Sequence, residues 1–417
     1  MPGSALNFWT KTLILAVIVH AAALADVRNF SVEDEALHLK RVAEISNITG
    51  RGLESYDPLE PVEGATMMSL PRAQKLTIKA DALEAAKAYA GERKSSALII
   101  WRSGKIELEQ YFGGYDATKP IISKSLAKPV TALLIGRAIK LGYIKSLDQP
   151  VADFITEWKG DPAREKMKIR HLLDMRTGFL MQGLPTGPQD ILNRAYLHPR
   201  HDEIIIRDYP LINEPGTRYD YSNATSELIA PVIERATGKR YSAFLSEALL
   251  KPIGAAGGLV WINRPGGTAH SGCCLMLPAQ SWLRMAVLLM NDGTWKGKAM
   301  LPKGYVAAMR TPTVENPHYG MGVWVAGQYV ERRGFAHPSI PFGKVLHSEP
   351  YAAKDLYLFD GNSNQVVYII PSQHLIILRT GDGPPKTLEW DNAHLPNLLI
   401  RGIMRRPGDT QPEPQPK

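Results

Sequence analysis

Ser125-Leu126-Ala127-Lys128 opens a run that reads as helix as far as Ile144. Val130, Leu133, Leu134, Ala138 and Leu141 recur every three or four residues, and Gly142 suits the C-terminal cap. A serine hydroxyl is a weak nucleophile until a base takes its proton. A lysine three residues further along a helix shares the serine's face and stands within hydrogen-bonding reach of it. A helix N-terminus also offers free N–H groups, which favour the anionic tetrahedral intermediate of acyl transfer. Pro129 removes the N–H that would bond to the Ser125 carbonyl, so the first turn is predicted to be irregular. This is the chain's single Ser-x-x-Lys. Alone, the motif equally describes a capping serine followed by a surface lysine.

The pattern changes on both sides of that helix. Upstream, Ala82 to Arg93 is a run of good helix formers. Ser96–Trp101 and Ile106–Phe112 then flank an Arg-Ser-Gly-Lys turn and read as a hairpin, the second strand alternating as if one face were solvated. Downstream, helices and loops predominate to about residue 250, including Ile169 to Met175 and the strongly periodic Ser226 to Ala236. The chain ends on three strand-like runs, Leu356–Asp360, Gln365–Ile370 and Leu375–Thr380, broken by Gly361 and Pro371. Strands at both ends with helices between predict an α+β fold: an antiparallel sheet flanked by helices, with an inserted all-helical subdomain at about 131–255. The site is expected where the insertion meets the sheet edge. The folded domain is placed at 76–405, after a Pro-punctuated extended lead-in at 26–75 and before a Pro-rich disordered tail at 406–417.

Glu214-Pro-Gly-Thr-Arg-Tyr-Asp-Tyr221-Ser-Asn223 reads as a turn, a short extended stretch and a helix start. A tyrosine there can reach back to Ser125. Beside a cationic lysine its phenol becomes more acidic, and it can serve as base and then as acid to the leaving group. Tyr219 is the competing candidate, but only Tyr221 stands two residues before an Asn.

Ser-x-x-Lys, then Tyr-x-Asn about a hundred residues later, then a late strand with a Gly-containing motif resembles the serine β-lactamases and penicillin-binding proteins. The likeness runs from about residue 80 to 403. It is strongest to the class C branch: family VIII carboxylesterases, 6-aminohexanoate-dimer hydrolases and D-alanyl-D-alanine carboxypeptidase-like enzymes. Ile169–Gly178, Pro215-Gly216, Leu250–Gly254 and His318–Trp324 match the family's flanking segments. The resemblance implies a β-lactamase/transpeptidase-like fold, Ser125 as nucleophile, Lys128 and Tyr221 sharing the proton work, and Asn223 positioning substrate. The third motif departs from the pattern. Where the family has Lys-Thr-Gly, His-x-Gly or Gly-x-x-Gly-Gln, this chain has Gly361-Asn362-Ser363-Asn364-Gln365. Asn364 then replaces a glycine, and asparagine is the residue that best tolerates positive φ. The N–H of Asn362, after Gly361, is expected to join that of Ser125 as the oxyanion hole. No side-chain cation is evident there for a substrate carboxylate, which favours neutral esters or amides.

Composition sets the remaining expectations. A hydrophobic fraction of 44% and a charged fraction of 22% over 417 residues describe a globular protein with a sizeable core. Lys11, the apolar Leu13–Val19 and Ala23-Leu24-Ala25 read as a signal peptide of residues 1–25, cut before Asp26. The expected product is periplasmic or secreted, with no stable membrane insertion after processing. The net charge of +8 loses one lysine with that segment, leaving +7, and no basic block points to nucleic acid. Cys273 and Cys274, adjacent, read as two small apolar residues rather than a staple. The eleven histidines are scattered without metal-ligand spacing, so neither a metal nor any other cofactor is expected. Two functions fit: a serine hydrolase acting on a small ester or amide, and a related scaffold that binds envelope peptide or lipid without turnover.

Overall fold

The computed structural model describes residues 30–47, 56–340 and 343–417; the leader expected at 1–25 lies outside them. Six strands form one antiparallel sheet. In spatial order they are Lys105–Tyr111, Ser95–Arg102, Leu375–Gly381, Gln365–Ile370, Tyr357–Gly361 and Trp324–Val325. The central strands are buried and mainly apolar because both faces of the sheet are covered. Ala97, Ile99, Val367, Ile369, Ile376 and Leu378 point into one core. Their neighbours Leu98, Ile100, Val366, Tyr368, Leu375 and Ile377 point into another. The period of two along each strand feeds two separate apolar layers. The helices Ala80–Glu92 and His394–Gly402 cover the second layer, and Ala279–Met290 covers the first.

The chain leaves the sheet after the hairpin, builds a helical region, and returns for the other four strands, Trp324–Val325 first. The fold is α+β, as the sequence pattern predicts, with the nucleophile helix Ala127–Lys140 buried at the junction. The hairpin turn uses Ser103 and Gly104, both at positive φ. A second, four-stranded sheet accompanies the helical region: Leu59–Val62, Gly258–Trp261, Leu275–Leu277 and Ile121–Ile122.

Five expectations are corrected. The lead-in is not extended throughout: Val32–Asn47 is a helix, capped by Ser31 Oγ accepting the Asp34 N–H at 3.1 Å. Arg41 on that helix donates to the carbonyls of Leu197, Asp57 and Asn263, tying it to the body. The Lys105–Tyr111 strand does not present a solvated face. Glu107 accepts the N–H groups of Thr77 and Ile78, and the Glu109 side chain is covered by Arg72, because residues 71–78 lie along this edge. The tail is not disordered: Gln415 is buried, bonded to Tyr351 and Ala326, and Tyr329 N–H donates to the Pro416 carbonyl. Cys273 and Cys274 are bonded to each other, with Cys274 at positive φ. The histidines, scattered in sequence, are partly gathered in space: His201 and His270 stack beside Glu227.

Candidate active site

Ser125 lies in a 3₁₀ turn, Lys124–Leu126, that leads directly into the Ala127–Lys140 helix. The tight turn is the irregularity that Pro129 imposes. Ser123 fastens it to the neighbouring strand: its N–H donates to the Leu275 carbonyl at 2.9 Å, and its Oγ accepts the Leu275 N–H at 3.1 Å. Lys124, next to the nucleophile, is held at φ 48°, a conformation that costs a non-glycine residue energy and persists because both flanks are pinned. Burial pushes the Lys124 ammonium down to about 8, and it donates to the Tyr56 hydroxyl at 2.8 Å.

Lys128 is buried, yet its Nζ meets three acceptors: Ser125 Oγ at 3.1 Å, Asn223 Oδ1 at 3.1 Å and Gly272 O at 3.0 Å. Two proton inventories fit these atoms. An ammonium donates to all three; a neutral amine donates to Asn223 and Gly272 and turns its lone pair to the Ser125 proton. Gly322 packs on the backbone behind Lys128. At φ 72°, with a Cβ that would stand 2.7 Å from the Lys128 carbonyl oxygen, this position admits only glycine.

The second motif arrives from the opposite side. Tyr221 Oη donates to Ser125 Oγ at 2.9 Å, and its ring lies 4.8 Å from Lys128 Nζ. Its main chain is bonded on both sides, the N–H to the Ala336 carbonyl and the carbonyl to the Gln182 N–H. Phe335 packs edge-on against its ring. Tyr219, the rival candidate, is fully buried and points its hydroxyl at the Phe335 carbonyl, away from Ser125. Asn223 is the first residue of the Asn223–Glu227 helix, and that position aims its side chain at Lys128.

The third motif sits at the end of the Tyr357–Gly361 strand. A Cβ on Gly361 would stand 3.2 Å from Ser125 N and 3.0 Å from Leu126 N, so glycine is needed for the strand to reach the nucleophile turn. Asn362 follows, exposed, and Ser363 and Asn364 both hold positive φ. The turn expected of a glycine thus survives with asparagine in its place. Behind it lies a residue that periodicity could not reveal. Arg379, fully buried, donates to the carbonyls of Ser363 (2.7 Å), Asn364 (2.9 Å), Arg93 and Asp382, and to Ser95 Oγ. In the sequence it is only an arginine near the end of an apolar strand.

Ser125, Lys128, Tyr221, Asn223 and Gly361 therefore converge, with Asn362 next along the chain and Ser125 half-buried and reachable from solvent. The sequence model of the beta-lactamase family matches residues 80–386. The chain belongs to the beta-lactamase family. Among curated proteins, this beta-lactamase-family chain is 29% identical over 145 residues to "Esterase EstB" of Burkholderia gladioli. That match covers 31% of the chain and 36% of the esterase, so the chain spans about a third of that relative's length. Among solved structures, it superposes on a Bacillus anthracis protein assigned to the 6-aminohexanoate-dimer hydrolases with a TM-score of 0.61 at 19% identity, covering 79% and 86% of the two chains. A Bacteroides dorei protein assigned to the β-lactamases gives 0.61 at 16% identity, covering 78% and 98%. These structural likenesses establish the β-lactamase/transpeptidase-like fold.

Proposed function

We propose that this beta-lactamase-family chain is a serine hydrolase that cleaves an ester or amide through an acyl-Ser125 intermediate, with Lys128 and Tyr221 as proton-transfer groups. The observation that carries this reading is the meeting of Lys128 Nζ and Tyr221 Oη on the one oxygen, Ser125 Oγ. In the first step Ser125 Oγ bonds to the substrate carbonyl carbon while its proton passes either to Lys128 Nζ as a neutral amine or to Tyr221 Oη as a phenolate. The N–H groups of Ser125 and Asn362 take the charge that develops on the carbonyl oxygen. The leaving group departs with a proton from Tyr221, and water then releases the acyl group by the same steps reversed. Asn223 positions substrate and Lys128 together. Arg379 is committed to main-chain carbonyls and Ser95, so it offers nothing to a substrate carboxylate, which supports neutral esters or amides as substrates.

The test is a fluorophosphonate probe, alongside p-nitrophenyl esters of graded chain length and nitrocefin. Labelling at Ser125, abolished with ester turnover in a folded Ser125→Ala variant, is the expected result. Full turnover in that variant refutes the assignment, and a wild-type protein that neither labels nor turns over is instead a non-catalytic scaffold for envelope peptide or lipid. The reading includes export, supported by the composition of residues 1–25. Mass spectrometry of the mature protein should find Asp26 at its N-terminus, and a membrane-bound form still carrying Met1 overturns that part.

A further inference from the structure

Glu227 ends the helix that Asn223 begins, one turn away on the same face. Asn223 holds Lys128 Nζ directly. Glu227 approaches it from behind Gly272, whose carbonyl is the third acceptor of Lys128 Nζ. A Cβ on Gly272 would stand 3.0 Å from Glu227 Oε1. The Glu227 side chain is 1% exposed. The peptide N–H groups of Ser271 and Gly272 face its carboxyl without completing a good hydrogen bond. On its other side Glu227 Oε2 lies 3.8 Å from His201 Nε2 and 3.7 Å from His270 Nδ1, both rings fully buried.

These three residues place ligand-type atoms within 4.8 Å of one another, but they do not fit a chelated metal. The His201 and His270 rings are stacked, with centroids 4.1 Å apart and planes 13° from parallel, and Trp261 lies flat on the far face of His270. A metal ligated in the plane of one imidazole, at about 2 Å, would stand well out of the plane of the other.

We propose that Glu227 is a positioning residue that sets the charge of the Ser125–Lys128–Tyr221 group, its buried carboxyl acting across Gly272 and its ionisation fixing the pH at which Ser125 becomes reactive. Loss of water pushes the Glu227 carboxyl up to about 7 and holds His201 down to about 3 and His270 far below its ordinary value. Near neutral pH the carboxyl therefore changes charge while both imidazoles stay neutral. The other ionisable groups that face it are the phenols of Tyr196 and Tyr241, which burial keeps protonated. Asp202 and Arg41 act one layer out, on the imidazoles. An anion in this position opposes loss of a proton from Lys128 and from Tyr221 alike. Removing it has the same sign whichever of the two is the base.

The inference rests on the hydrolase reading, and the rate of Ser125 labelling by a fluorophosphonate, followed against pH, separates the two. Glu227→Gln keeps shape and removes charge. Its labelling rate should rise with pH about one unit earlier than that of the wild type, while Glu227→Asp should keep the wild-type limb. A folded Gln variant whose profile superimposes on the wild type overturns the role of Glu227 and leaves Ser125 as nucleophile. A wild type that is not labelled at any pH overturns both. Should the Gln variant fail to fold, infrared spectroscopy of Ser125→Ala across neutral pH decides: a buried carboxyl that titrates there supports the role, and its absence overturns it.

Discussion

Tyr221 Oη and Ser125 Oγ, on different elements, stand 2.9 Å apart, while Lys128 reaches the same oxygen from one turn down the nucleophile helix. A hydroxyl held between a phenol and an amine has two partners for its proton, and removing either changes what the other can do.

Tyr221→Phe removes one hydroxyl from a ring that stays packed on Phe335. It should slow acylation by about 10²–10⁴-fold with little change in stability. Lys128→Ala should be at least as severe. In the double variant the free-energy cost should fall far short of the sum, because the groups act as a unit. Pre-steady-state acylation rates for the four proteins supply the cycle, and additive losses would show that the residues work independently.

Arg379→Met takes the donors away from four main-chain carbonyls and Ser95 Oγ beneath the third-motif turn. Leaving buried acceptors unmatched should cost about 3 kcal/mol or more. Because the loss falls under Ser363 and Asn364, kcat should fall as well. Denaturant unfolding and ester kinetics check both. A variant with wild-type stability would mean that the turn holds itself.

Stability should fall as the solution is acidified. Burial holds His171 and His198 down to about 4 and His201 and His347 down to about 3, against an ordinary 6.5. Their folded-state values are depressed, so below pH 6.5 the unfolded chain binds protons that the folded chain refuses. The stability they confer is complete above that pH and is lost as pH falls toward their folded values. Glu227, Asp174 and Glu234, all pushed up by burial, work the other way, but they are outnumbered by the depressed imidazoles, which also include His38, His270, His318, His337 and His394. The melting temperature should therefore drop steadily from about pH 7 to about pH 5. A flat or rising profile would show that these imidazoles are not kept neutral.

The hairpin and the last three strands were legible because each alternates between two cores and is bounded by Gly or Pro. Ser125, Lys128, Tyr221 and Asn223 were legible because their chemistry and order are distinctive. The Val32–Asn47 helix carried a readable signal in Ser31-x-x-Asp34, obscured by the proline-rich stretch that follows it. The meeting of Glu227 with His201 and His270 carried none. It depends on two imidazoles far apart in sequence being stacked by tertiary packing, and no spacing rule reaches that far. Arg379 was hidden for a related reason, since a cation bonded to four main-chain carbonyls and one serine hydroxyl has no charged partner that a side-chain pattern can show.

The seated tail has a practical reading. Gln415 and Pro416 bond to Ala326, Tyr329 and Tyr351, at both ends of the stretch that lays Phe335 and Ala336 on Tyr221. The last few residues thus work like a latch on the wall of the site. An affinity tag fused directly after Lys417 would tug at that latch.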